Sequence, residues 1–106
     1  GNFLEVEESI DCLEGGGGSE LVELNRELAA RMVLLAGTAE TVDEARRMVD
    51  GVIADGSALE YFYRNVERQG GSRIELAKCR GSWRSEFHEE IRSPRSGYIQ
   101  RIDALA

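Results

Sequence analysis

Several things are scarce in this 106-residue chain, and each scarcity narrows what it can be. Lysine and arginine together number 13 against 20 aspartates and glutamates, a net charge of −7. A general nucleic-acid binder needs clustered cations for the phosphates, so a polynucleotide partner is not expected. No apolar run approaches the ~20 residues of a membrane span, and no basic stretch leads into an apolar signal sequence. The two cysteines, Cys12 and Cys79, make no disulfide framework and lack the His/Cys company of a zinc site. A cytoplasmic protein is the default expectation. There is one proline, one histidine and one tryptophan. The 42% apolar content is that of a globular chain, of single-domain length. The opening Gly1-Asn2, without Met, and the apolar ending Asp103-Ala104-Leu105-Ala106 read as cuts inside a longer protein.

Charge is unevenly spread. Residues 1–63 hold 14 acidic and 4 basic residues, whereas residues 64–106 hold 6 acidic and 9 basic. The shift near Arg64 suggests two structural neighbourhoods. Apolar periodicity then sets out four main helices. Val6, Ile10 and Leu13 stripe a helix over 4–14, stopped by Gly15-Gly16-Gly17-Gly18. Ser19 reads as the N-cap of a second helix. Its stripe is Leu21, Leu24, Leu28, Met32 and Leu35, widened by Val33, Leu34 and Ala36 and stopped at Gly37. Thr41-Val42-Asp43-Glu44 is a capping box for a third helix carrying Ala45, Val49 and Val52, ended by Gly56. Ser57-Ala58-Leu59-Glu60 reads as a second box, opening a fourth helix with Leu59, Phe62, Tyr63 and Val66, ended by Gln69-Gly70-Gly71. A short helix over 74–78 is a weaker signal. Beyond Glu86 the helical period disappears. Tyr98-Ile99-Gln100-Arg101-Ile102 has strand composition. The turn signal 93–97 predicts a short C-terminal β hairpin with Phe87 and Ile91 on the partner strand. The expected fold is mainly α with that hairpin, and Trp83 packing over the strands.

The candidate chemistry is thin. The glycine tetrad lacks the Gly-Lys-Ser/Thr ending of a P-loop and joins two helices, so it reads as a connector. His88 has no partner in the pattern. Glu89 and Glu90 would point to opposite faces of a strand. Cys12 reads as a helix-face residue. No catalytic constellation stands out.

A set of motifs in order says more. Gly1-Asn2-Phe3-Leu4-Glu5-Val6-Glu7-Glu8 resembles the Gly-Asn-x-Leu-Glu-Val-x-Glu segment of thymidine and pyrimidine nucleoside phosphorylases. Gly17 to Leu24, Thr41 to Arg47, Asp55 to Glu60, Gln69-Gly70-Gly71 and Pro94 to Ala104 resemble the segments that follow there. The chain departs from that pattern at Gly18-Ser19, where proline is usual, at Ser72, where aspartate is usual, and at Phe3, where a small residue is common.

The resemblance implies a piece of a larger α/β phosphorylase, about four times this length on the scale of ordinary domains. Residues 1–80 would be the helical part of its α/β domain, and 81–106 the start of a C-terminal β-containing domain. The parent would convert thymidine or uridine and phosphate to free base and pentose 1-phosphate. Its phosphate loops and nucleoside-binding residues would lie upstream of Gly1, so this chain alone is expected to be inactive. One family position maps here: Glu8, as a ligand of a potassium ion. No organic cofactor is implied. The implied partners are the remainder of the parent chain, a pyrimidine nucleoside with phosphate, and a second subunit in a homodimer, with no membrane. Two other readings remain at this point. One is a non-catalytic helical interaction module descended from the family. The other is a fragment of a related phosphoribosyltransferase, against which the Gly-Asn-x-Leu-Glu-Val segment weighs.

Overall fold

A computed structural model describes residues 2–82 and 85–103. Five helices follow in order: α1 (Asn2–Leu13), α2 (Ser19–Leu35), α3 (Val42–Ala54), α4 (Ser57–Arg68) and α5 (Arg73–Cys79). Gly15 ends α1 with φ +81°, a left-handed turn that side chains disfavour. The turn lets the Gly16 and Gly15 amides donate to the carbonyls of Asp11 and Cys12, at 2.8 and 3.1 Å. Gly37 and Gly70 close α2 and α4 with the same pair of hydrogen bonds. The glycine signals thus do what the spacing predicts.

Caps agree in part. Thr41 caps α3, its Oγ1 accepting from the Glu44 amide at 3.2 Å, and the Glu44 carboxylate reaches back to the Glu40 amide at 2.8 Å. Ser19 is not a cap. It is the first residue of α2, and Gly18 holds the cap position without a side-chain bond. The second predicted box is displaced too. Gly56 takes the cap of α4 in the left-handed region, and the Asp55 carboxylate accepts from the Ser57 amide at 2.8 Å. The turn between α3 and α4 spans only Asp55 and Gly56, so the side-chain acceptor at the start of α4 comes from Asp55. A cap not anticipated opens α5: Ser72 Oγ accepts from the Glu75 amide at 3.3 Å.

The principal packing joins α2 to α3. Ala30, Ala39, Ala45 and Val49 are buried, with Ala29, Val33, Leu34 and Ile53 against them. Alanines at the contact let the two helix backbones approach closely. On the other side, Ile10 of α1 is 1% exposed and is the one large side chain fully buried among the described residues. Tyr63 of α4 is buried as well. The expected stripe of α2 is therefore the wrong face. Leu24, Leu28, Met32 and Leu35 are exposed, Met32 to 70% and Leu35 to 86%, while Ala30 and its neighbours turn inward.

The C-terminal β hairpin is overturned. No residue among 85–103 forms a strand. Phe87, Ile91, Tyr98, Ile99 and Ile102 are all exposed, Tyr98 to 99%. An isolated two-stranded hairpin is marginal in water without a third strand or a packed face, and no described helix covers these side chains. The packing expected of Trp83 lies outside the described residues, as do Gly1 and residues 104–106. Among the described residues, the fold class is helical.

Candidate functional site

Helix α1 carries Glu5, Glu7, Glu8 and Asp11 and no basic residue, with Glu14 just beyond its end. Glu7, Asp11 and Glu14 recur at i, i+4 and i+7, which places them on one helix face. Arg80, just past α5, meets that face. Its Nη1 and Nη2 donate to Glu14 at 2.8 and 2.6 Å, and Nη2 also donates to Asp11. The Gly81 amide donates to Glu7. The hydrogen bonds from Arg80 hold the Glu14 carboxyl below its usual range, and the same donation to the Glu14 and Asp11 carboxylates pushes the guanidinium up. Glu8 points elsewhere: it is exposed, and the structure pairs it with no described residue.

A second charged seam crosses α2 and α3. Arg26 donates through Nε and Nη2 to the two carboxylate oxygens of Asp50. Arg46 donates to Glu27 and, at 2.7 Å, to Asp43. The Asp50 and Glu27 carboxyls are both lowered, first by these hydrogen bonds. Beneath the seam lies an apolar cavity of about 320 Å³, walled by Cys12, Val22, Ala29, Val33, Val52 and Ile53 among others. It presents no set of convergent polar groups of the kind that orients a substrate.

The other sequence candidates do not assemble into a reaction centre. His88, Glu89 and Glu90 are exposed on the extended segment, and Glu90 pairs with Arg92 at 2.6 Å. The glycine tetrad connects α1 to α2, and a Cβ on Gly17 would come within 2.9 Å of the Cys12 sulfur. That close approach explains a glycine there without any phosphate. Among the described residues no three His, Cys, Asp or Glu side chains are grouped to hold a metal ion. The feature that sequence reasoning missed is Arg80. Its partners lie 66 and 69 residues away, and no local pattern announces such a contact.

The chain matches no protein-family model. It does match curated proteins. Pyrimidine-nucleoside phosphorylases of Staphylococcus aureus strains USA300, COL and N315 are each 36% identical to it over 102 residues, which is 96% of this chain. This chain is homologous to a segment of pyrimidine-nucleoside phosphorylases. It spans about a quarter of the length of these relatives, 24%. The resemblance seen in the motifs is thus carried by nearly the whole chain. The described residues are helical where they are regular, and no helix among them is long and apolar enough to cross a membrane.

Proposed function

We propose that this chain is a scaffold segment of a cytoplasmic, homodimeric pyrimidine-nucleoside phosphorylase and supplies no reacting group of its own. The observation that carries the reading is the 36% identity over 96% of the chain and only 24% of the relatives. Surface area supports it. The chain exposes 9107 Å², whereas a self-contained domain of its mass exposes about 5,900 Å². Exposed apolar side chains contribute to that surface: Leu24, Leu28, Met32 and Leu35 on α2, and Phe87, Ile91, Tyr98, Ile99 and Ile102 beyond the helices. The remainder of a phosphorylase chain and a second subunit are the partners that would cover it. Residues 1–80 would then be the helical part of the α/β domain, and 81–106 the lead into the C-terminal domain.

In the reaction proposed for the parent, a phosphate oxygen bonds to C1′ of a thymidine or uridine as the C1′–N bond breaks. The electron pair leaves with the base, which is then protonated. Such chemistry rests on positioning and on electrostatic stabilisation of the departing base. The groups that do this would lie in the parent outside this chain. Glu8 is the exception in a supporting role. Its carboxylate is a hard oxygen donor suited to a potassium ion, and it stands exposed on α1 with no described partner. A single carboxylate does not make a site, so carbonyl oxygens from elsewhere in the parent would complete it.

The test is phosphorolysis by the product of the complete natural gene, with thymidine or uridine, with and without phosphate and potassium. Phosphate-dependent release of base supports the reading. Loss of potassium activation in Glu8→Ala, with activity retained at saturating substrate, places Glu8 at the cation. No release under any condition overturns the phosphorylase reading in favour of a non-catalytic interaction module. Base release by the purified 106-residue chain overturns its scaffold role.

A further inference from the structure

Helix α5 is attached to the rest of the molecule in an unusual way. It buries none of its residues. Ile74 is 67% exposed, and only Leu76 is half-buried, near Phe3, Val6, Phe62 and Val66. Its two ends are instead held by arginines. At the start, Arg73 donates to Glu60 of α4 at 3.0 Å, and its guanidinium lies 4.2 Å from the centroid of the Tyr63 ring. Just past the end, Arg80 binds Glu14 and Asp11 of the α1 face, and the Gly81 amide binds Glu7. A helix of this length has no independent stability in water. Its order therefore depends on these two fastenings, one partly buried leucine and the local Ser72 cap.

We propose that α5 is an electrostatic strap, fastened at its two ends by Arg73 and Arg80, that rising ionic strength releases from α1 and α4 as a unit while α1–α4 stay folded. The α2–α3 contact also carries ion pairs, Arg26 with Asp50 and Arg46 with Glu27, but it has in addition what α5 lacks. Its alanines and Val49 are buried, and that apolar burial is not weakened by salt. The ion pairs at α5 are partly exposed, with side-chain exposures of 32–53%, and such pairs are screened within a Debye length. Releasing the strap also leaves the carboxylates of α1 without a cation, which opposes release at low salt, and added salt screens that repulsion. Because residues 85–103 follow α5 in the chain, the strap sets where that segment departs from the helical body.

Amide hydrogen exchange on the 106-residue chain tests this. Sodium chloride is raised from about 20 mM to about 500 mM, shrinking the Debye length from roughly 20 Å to roughly 4 Å. The expected result is exchange about fivefold faster at the protected amides of α5 and at Gly81, with those of Ala30 and Val49 unchanged. Arg80→Gln and Arg73→Gln are expected to reproduce the high-salt exchange of α5 at low salt. The salt titration of the unsubstituted protein decides the matter if either variant fails to fold. Salt-independent protection of α5 overturns the proposal. So does an acceleration of α2 and α3 in parallel with α5, and so does an α5 unprotected even at low salt.

Discussion

Replacing Ile10 by alanine tests whether the inward faces of α1 and α2 carry the stability of this fold. Ile10 is 1% exposed, so the change removes three carbon groups from a fully buried site. At about 0.8 kcal/mol per buried group the transfer loss is about 2.4 kcal/mol. The cavity left behind adds to this, for a total of about 3–4 kcal/mol. Ile10→Val removes one group and should cost about 1 kcal/mol. The control is the outward stripe of α2. Met32 and Leu35 are 70% and 86% exposed, so Met32→Ala and Leu35→Ala should each stay within about 0.5 kcal/mol. Urea unfolding followed by far-UV circular dichroism, at concentrations where the chain is monomeric, measures all four with the slope m held as a check. A loss at Met32 or Leu35 as large as that at Ile10 would refute the reasoning. It would mean that the leucine stripe, and not the alanine face, packs the monomer.

Other expectations follow from particular contacts. Gly15 and Gly17 both have positive φ, but a Cβ on Gly15 meets nothing within 4 Å while one on Gly17 meets the Cys12 sulfur at 2.9 Å. Gly15→Ala should cost about 1–2 kcal/mol of backbone strain, and Gly17→Ala measurably more in the same urea assay. Thr41→Ala should cost about 1 kcal/mol by freeing the Glu44 amide. Asp55→Ala should lower the urea midpoint of the chain more than Ser57→Ala, because Asp55 supplies the acceptor at the start of α4. The carboxyls of Glu14, Glu27, Asp50 and Asp55 are all lowered in the folded chain, each first by a hydrogen bond: from Arg80, Arg46, Arg26 and Ser57 respectively. A lowered folded pKa stabilises above the unfolded value and is lost as pH falls through the folded one. The urea midpoint should therefore be flat near neutrality and begin to fall near about pH 5. A midpoint that rises on acidification would contradict these pairings.

Helix positions were largely legible in the sequence, because their determinants are local. Periodic apolar residues mark α1 to α4, glycines with left-handed turns end α1, α2 and α4, and the Thr41 box opens α3. The relationship to phosphorylases was legible for the same reason, as ordered short motifs. What the helices do with their faces was not. α2 carries apolar residues on more than one side, so periodicity offers two stripes and cannot choose between them. The choice falls to α3. Ala45 admits the close approach of Ala30, and Asp50 and Arg46 stand opposite Arg26 and Glu27 only when that face turns inward. The hairpin failed for a related reason. β-branched and aromatic residues describe a half-buried pleated surface, and around residues 87–102 no described element supplies the other half. The grip of Arg80 on α1 belongs entirely to the tertiary structure. Sequence alone determined that α1 is an acidic helix without cations of its own. Only the fold, by returning the chain 66–69 residues later, decided which cation would meet it.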